Sequence, residues 1–157
     1  MNLSDLLFSI QKKDIVVPEF QREYVWPYSN AKELFKSLIN DFPVGGILIW
    51  RTDDPPALKG ISDADLGHQR RVYQVLLDGQ QRLTTLYLLV NGELPYYYTE
   101  AELSADPRQL CFNLETREFQ FFSRSLSEDK SWQLVTDIFQ HKVSWHEIAL
   151  DRAETYT

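Results

Sequence analysis

Hydrophobic positions recur with a helical period near the start of the chain. Leu3, Leu6, Leu7 and Ile10 are spaced i, i+3, i+4, i+7, which places them on one face of a helix. This spacing predicts a helix over residues 2–13. The apolar run at residues 15–17 predicts a short strand, which Pro18 stops because proline has no N–H to donate to a sheet.

A second amphipathic segment follows this strand. Asn30 and Glu33 have the form of a capping box, so the helix is predicted to begin at residue 29 or 30. Its apolar stripe consists of Leu34, Phe35, Leu38, Ile39 and Phe42. A proline and two glycines at residues 43–46 end this helix. Residues 47–50 then predict a compact buried strand, and residues 51–70, which have no period, predict a long surface loop.

The pattern becomes more apolar beyond this loop. Residues 72–77 are hydrophobic at nearly every position, which predicts a strand in the centre of a sheet. A helix is predicted over residues 79–91, with the stripe Leu83, Leu86, Tyr87 and Val90 and with Gly92 closing it. Two strands at 110–114 and 118–122, a helix at 132–139 and the start of another at 144–157 complete the pattern, and the chain is expected to be a piece of a longer polypeptide.

Composition and charge limit the functional classes. The chain has 157 residues and a net charge of −7, whereas a domain that grips duplex DNA by its phosphates alone is normally basic. Cys111 is the single cysteine, which excludes an internal disulfide and favours a cytoplasmic protein. No apolar run is long enough to cross a bilayer, so no membrane partner is expected.

The segment LLDGQQRLTTL at residues 76–86 carries unusual polar chemistry between a strand and a helix. With Asp78 as N-cap, the free backbone N–H groups of the next turn form a positive helix end that suits a phosphate. Gly79 allows close approach of a ligand, and Arg82 adds a planar cation. Thr84 and Thr85 offer hydroxyls one turn later. A purely structural interpretation stays open, because Asp78 and Gln81 resemble a capping box and Arg82 can pair with an acid elsewhere.

A second pair of neighbouring glutamine and arginine residues follows the first predicted strand. Gln21 and Arg22 lie among the aromatic residues Phe20, Tyr24 and Trp26. If the two strands are neighbours in one sheet, both Gln-Arg pairs converge on one cleft. The alternative is that the aromatic residues are core and that Gln21 and Arg22 only point outwards.

The sequence VPEFQREYVW at residues 17–26, followed by LLDGQQRLTTL, resembles the N-terminal domain of GmrSD-type, modification-dependent restriction enzymes and their relatives in phage defence. The resemblance covers residues 1–95 clearly, and residues 96–157 are expected to continue the same domain. It implies an α+β fold of the ParB/sulfiredoxin type, which is a small mixed sheet flanked by helices. The turn between strand and helix would then bind nucleotide phosphates.

The resemblance also identifies the motif residues, for which we expect particular roles. The family motif is Asp78, Gly79, Gln80, Gln81 and Arg82, and Gln21 with Arg22 belongs to the upstream motif. The implied ligand is a nucleoside triphosphate (GTP, UTP, CTP and ATP are not distinguished) with Mg²⁺. Gln80 or Gln81 would orient an attacking water, and Asp78 would bind the metal, act as a base or only cap the helix. Tyr24 or Trp26 would stack on a base.

Cleavage of DNA is expected from a separate nuclease domain of the HNH type, either C-terminal or in a partner subunit, through which DNA would be reached. His68, His141 and His146 are scattered and do not form such a site. Two other functional classes stay open: a ParB-like nuclease or nickase, and a non-catalytic module for protein interaction or for sensing modified DNA.

Overall fold

The computed structural model describes residues 2–66 and 71–143. Within them the helices are α1 (Leu3–Gln11), α2 (Tyr28–Ile39), α3 (Asp63–Leu66), α4 (Gln80–Asn91) and α5 (Val135–Phe139). The strands are β1 (Ile15–Val16), β2 (Leu48–Thr52), β3 (Tyr73–Asp78), β4 (Leu110–Asn113), β5 (Phe119–Phe121) and β6 (Trp132–Leu134). The helix predicted at 144–157 lies outside the described residues, as do His68 and His146.

The strands form two small sheets. The first has the order β1-β3-β2, with β1 parallel and β2 antiparallel to β3. The second has the order β5-β4-β6 and is antiparallel. Helices and a small mixed sheet in this arrangement confirm the predicted α+β class.

Strand β3 is central, as its apolar sequence predicted. It is paired on both sides, and Val75 and Leu76 are completely buried. The parallel pairing places Ile15 opposite Gln74 and Val16 opposite Val75. The chain therefore leaves β1 and β3 at the same edge of the sheet, and this edge is where the polar motifs lie.

Helix α4 runs through the middle of the main hydrophobic core. The sequence predicted one apolar stripe, but Leu88 and Leu89 are completely buried as well. Residues of both sheets belong to this core, including Ile15 of β1 and Leu110 of β4. Because α4 is surrounded, its polar residues must also find partners inside the protein.

Two predicted boundaries are wrong, one at the start of α2 and one within residues 132–139. Helix α2 begins at Tyr28 with Pro27 as its N-cap and without a side-chain cap, so Asn30 does not form the predicted capping box. Residues 132–139 are a strand followed by a short helix, because Trp132–Leu134 pairs with β4. This pairing of β6 overrides the helical pattern in its first three residues.

The segment predicted as a surface loop after β2 is partly ordered against the core. Leu58 is only 3% exposed and forms an isolated bridge with Pro18. The four residues of α3 follow it. Within the described part of the chain, no helix combines the length and the apolarity needed to cross a membrane.

Candidate functional site

The junction of β3 and α4 presents an uncapped helix end. Gly79 is the N-cap, in the left-handed conformation with φ of 89°, and the first helical bond runs from the Leu83 N–H to the Gly79 carbonyl. The prediction that Asp78 caps the helix is therefore wrong: its Oδ1 accepts from the Gly79 N–H at 2.7 Å. Among residues 2–66 and 71–143 no side chain caps α4, which leaves the N–H groups of its first turn free and its positive end unscreened.

Gln81 points inward and holds the upstream aromatic segment. Its Oε1 accepts hydrogen bonds from the N–H groups of Val25 at 3.0 Å and Trp26 at 3.3 Å. Its Nε2 donates to the carbonyl of Glu23 at 2.9 Å. Gln81 is 8% exposed, and both ends of its carboxamide are used. Gln81 was one of two glutamines expected to orient a water, but its carboxamide binds the backbone of residues 23–26 instead.

Gln80 holds the same segment one step earlier. Its Nε2 donates to the carbonyl of Arg22 at 3.0 Å and also contacts the hydroxyl of Tyr98. The Tyr98 hydroxyl donates to the same Arg22 carbonyl at 2.8 Å. The Oε1 of Gln80 is buried and has no partner among the described residues. Leaving a buried acceptor without a hydrogen bond costs free energy in the folded state. Gln80 therefore keeps one unused acceptor beside the site.

Arg82 lies at the surface end of the motif. Its Nη2 donates to the carbonyl of Gly46 at 2.6 Å and lies 3.7 Å from Asp78 Oδ2. The Asp78 side chain is 75% exposed, and an ion pair this open to water is weak. The guanidinium is therefore held in place without being buried against a carboxylate, which keeps it available to an anion.

The upstream Gln-Arg pair reaches the same place. Gln21 Nε2 donates to the carbonyl of Leu77, the penultimate residue of β3, at 3.0 Å. Arg22 is exposed, and within residues 2–66 and 71–143 its guanidinium has no ion-pair partner. The two pairs converge because β1 and β3 are parallel neighbours, as the sequence predicted.

Both motifs line one small pocket of about 140 Å³. Its lining residues are Gln21, Arg22, Trp26, Asp78, Gly79, Gln80, Gln81 and Arg82. Two arginines face one carboxylate there, so the pocket is locally positive although the chain carries a net charge of −7. The uncapped end of α4 adds to this positive potential.

Thr84 and Thr85 do not face the pocket, which corrects the expectation that they contact a ligand. Both are completely buried. The Thr84 hydroxyl shares a hydrogen bond with the hydroxyl of Tyr97 at 3.0 Å, and that of Thr85 does so with Tyr24 at 2.8 Å. Since Tyr24 is 1% exposed, it cannot stack on a base, and burial raises its pKa to about 12. Trp26 alone of the two candidates lines the pocket.

Sequence reasoning missed two features of the site. Tyr98 supports the Arg22 carbonyl from a segment that received no role, and the run of three tyrosines at residues 96–98 was the signal that could have found it. Gly45 was assigned only to helix termination. A Cβ on Gly45 would lie 3.2 Å from the Arg82 guanidinium carbon, so this glycine leaves room for the arginine.

The chemistry of the pocket suits Mg²⁺ only in company with phosphate. No group of three or more potential metal ligands occurs among the described residues. Of the carboxylates in the described part of the chain, only Asp78 lines the pocket. Mg²⁺ at phosphate-transfer sites is commonly held by one or two carboxylates together with substrate phosphates and water, so Asp78 fits that limited role.

Comparison with known proteins agrees with the sequence motifs. Residues 3–156 match the profile of the family described as GmrSD restriction endonuclease, N-terminal domain. An uncharacterized protein of Methanocaldococcus jannaschii is 33% identical over an alignment of 96 residues, and the match covers 57% of this chain and 17% of that protein. The chain thus spans under a fifth of this relative's length. No solved structure matches it, so the ParB/sulfiredoxin likeness stays a prediction.

Proposed function

The chain belongs to the family of GmrSD restriction endonuclease N-terminal domains, and from this premise we propose that it binds a nucleoside triphosphate by its phosphates in the pocket between β3 and α4. The observation that carries the proposal is the convergence of Arg22 and Arg82 at an uncapped helix end. Each of these features attracts anions, and together they surround one cavity.

The positions of the two arginines suit a chain of phosphates. Arg82 is fixed by the Gly46 carbonyl, so little conformational freedom is lost when it binds an oxygen. Arg22 extends from a backbone that Gln80 and Tyr98 hold through its carbonyl. The free N–H groups of α4 would take a further phosphate oxygen between them.

Asp78 and Gln80 are assigned roles that depend on a bound triphosphate. Asp78 would hold Mg²⁺ against the phosphate oxygens, and the ion would supply neutralisation of their charge. Gln80 has a buried Oε1 with no partner among the described residues, whereas both ends of the Gln81 carboxamide are used. Gln80 is therefore the better of the two glutamines to turn its oxygen towards the pocket and accept a hydrogen bond from a water near the terminal phosphate. Slow hydrolysis by this domain follows as part of the proposal.

The wider system is proposed from the family. The domain would act within a phage-defence, modification-dependent restriction system in the cytoplasm. DNA cleavage would belong to a C-terminal nuclease domain or a partner subunit, and DNA would be contacted through it. Nucleotide binding here would then regulate cleavage there.

Calorimetric titration of the chain with ATP, GTP, CTP and UTP in Mg²⁺ tests the binding proposal. Arg82→Ala and Arg22→Ala should each weaken the best ligand about tenfold or more, because each removes charge-assisted hydrogen bonds to phosphate. Arg51→Ala is the matched control, since Arg51 is exposed on β2 and does not line the pocket. Equal affinity of wild type and Arg82→Ala would contradict the proposal.

Two further assays separate the catalytic alternatives. Phosphate release from the preferred triphosphate measures hydrolysis, and Gln80→Leu should lower the rate of hydrolysis by a larger factor than it lowers affinity, because Gln80 also holds the backbone of Arg22. A supercoiled plasmid in Mg²⁺ or Mn²⁺ tests the nickase alternative. Nicking by wild type that is lost in Asp78→Ala would favour that alternative over the triphosphate.

A further inference from the structure

The phosphate pocket is too small to hold a whole nucleotide. Its volume is about 140 Å³, whereas pockets that enclose small molecules of this class have volumes of roughly 300–1,000 Å³. If the phosphates occupy it, the nucleoside must lie outside it. The nucleoside would then extend over the surface next to the pocket.

A second cavity, shallow and open to solvent, with a volume of about 300 Å³, adjoins the first. Trp26 and Arg82 line both, so the two cavities share a wall. The second cavity lies between α2 and the segment that follows it, with Leu34, Pro43 and Val44 as its apolar surface. An apolar surface beside an indole is suited to the faces of a base and the carbon edge of a ribose.

The polar residues of this cavity lie on one face of α2. Asn30, Glu33 and Ser37 are spaced i, i+3, i+7, which aligns them along the helix. Within the part of the chain that the structure describes, Glu33 makes no ion pair. A few polar groups among apolar ones are what fixes the orientation of a ligand.

We infer, on the basis of the proposed function, that this cavity holds the nucleoside of the triphosphate and that Glu33 selects its base. A carboxylate only accepts hydrogen bonds, so it favours a base edge that presents N–H donors. Guanine presents two adjacent donors, at N1 and N2. Adenine and cytosine place an acceptor beside one donor, and uracil flanks its single donor with two carbonyls. Glu33 therefore favours guanine.

A hydrogen bond also connects the nucleoside cavity to the phosphate pocket. The backbone N–H of Trp26 donates to Gln81 Oε1 at 3.3 Å, so the indole that borders the nucleoside cavity is held by the motif that forms the phosphate pocket. Asn30, in the first turn of α2, lines the same cavity, where its amide would donate to the O6 of guanine. Trp26 and Arg82 would then lie where base, ribose and phosphates meet.

The test compares nucleotides with inorganic tripolyphosphate, which has the phosphates and no nucleoside. Ser37→Phe, which fills the cavity, should weaken GTP binding about tenfold or more and change tripolyphosphate affinity by less than about twofold. Ser29→Phe makes the same substitution on the same helix at an exposed position outside the cavity, and it should change neither. Circular dichroism and thermal unfolding verify that each variant folds.

Glu33→Gln tests base selection without a change of size. It should reduce the preference for GTP over ATP, CTP and UTP by about tenfold, again with tripolyphosphate unaffected. Unchanged GTP affinity in Ser37→Phe, together with loss of GTP binding in Arg82→Ala, would overturn this inference and leave the proposed function standing. Absence of binding of both tripolyphosphate and all four nucleotides to wild type would overturn both.

Discussion

Gln81 accepts a hydrogen bond from the backbone N–H of Val25 at 3.0 Å, although 56 positions separate the two residues in sequence. The same carboxamide oxygen accepts from Trp26, and its nitrogen donates to Glu23. One side chain therefore fixes the path of three consecutive backbone units. The polar motif at the start of α4 thus has two structural roles: Gln81 builds the pocket wall, and Arg82 faces the pocket.

Replacing Gln81 with leucine should destabilise the protein by about 2–4 kcal/mol, because two N–H groups and one carbonyl lose their partner. Urea denaturation measures the change. Gln120→Leu is the control: Gln120 is exposed on β5, and its substitution should change the free energy of unfolding by under about 0.5 kcal/mol. A Gln81→Leu protein as stable as this control would show that the hydrogen bonds of Gln81 contribute little.

Replacing Gly79 with alanine should cost about 1–3 kcal/mol. The residue has φ of 89°, and an added Cβ would lie 3.2 Å from the Gly46 carbonyl oxygen and 3.1 Å from an Ile47 side-chain carbon, so backbone strain adds to crowding. Gly46→Ala is a neighbouring control, because a Cβ at Gly46 meets nothing within 4 Å. Thermal unfolding of the two variants should separate them, and equal melting temperatures would contradict the expectation.

Tyr24→Phe should lower stability by about 1 kcal/mol at neutral pH through loss of the hydrogen bond to Thr85. Burial raises the pKa of Tyr24 to about 12, against about 10 in an unfolded chain. As the pH rises from about 10 towards 12, the unfolded state loses this proton first, so wild-type stability falls. Phenylalanine does not titrate, and the stability difference between the two proteins should narrow in this range.

Urea titrations of both proteins near neutral pH and above about pH 10 test this. Tyr96, Tyr97 and Tyr98, whose pKa values burial also raises, are present in both proteins and cancel in the comparison. A difference that stays constant with pH would show that Tyr24 has the same proton affinity in both states.

Asp78→Asn should have opposite effects with and without Mg²⁺. In a chelator, the Asp78 carboxylate repels phosphates, so the variant should bind a triphosphate about three- to tenfold more tightly than wild type. In Mg²⁺ the order should reverse, because wild type supplies the metal ligand. Asp53→Asn, exposed at the end of β2, controls for general charge. If the ratio of the variant's affinity to the wild-type affinity is the same with and without Mg²⁺, Asp78 does not bind the metal.

The sequence predicted the convergence of the Gln-Arg pairs for a physical reason. Two apolar runs, each ending in polar residues, are found as parallel neighbours, and parallel strands bring their carboxyl ends to the same edge. The central position of β3 followed from its apolar run, and the α+β class was implied by the family resemblance. The convergence and the position of β3 depend on local pattern and on one general rule of sheet geometry.

The inward or outward direction of the motif side chains could not be predicted in the same way. The burial of Thr84 and Thr85 depends on tyrosine hydroxyls that tertiary packing brings to them, and local sequence carries no sign of that proximity. The same holds for Gln81, whose partners lie about 56 positions away. Trp132–Leu134 forms a strand because β4 offers it an edge, which is again a long-range effect.

The long separation between Gln81 and its partners has a consequence for folding. The bonds from Gln21 to Leu77, and from Gln80 and Gln81 to residues 22–26, join residues 55 to 58 positions apart, and loop closure over such lengths must precede them. Contacts of this kind form slowly, so a chain still emerging from the ribosome would lack the pocket until α4 has been made and docked. A ligand that binds only the finished pocket would then draw the folding equilibrium towards the native state by mass action.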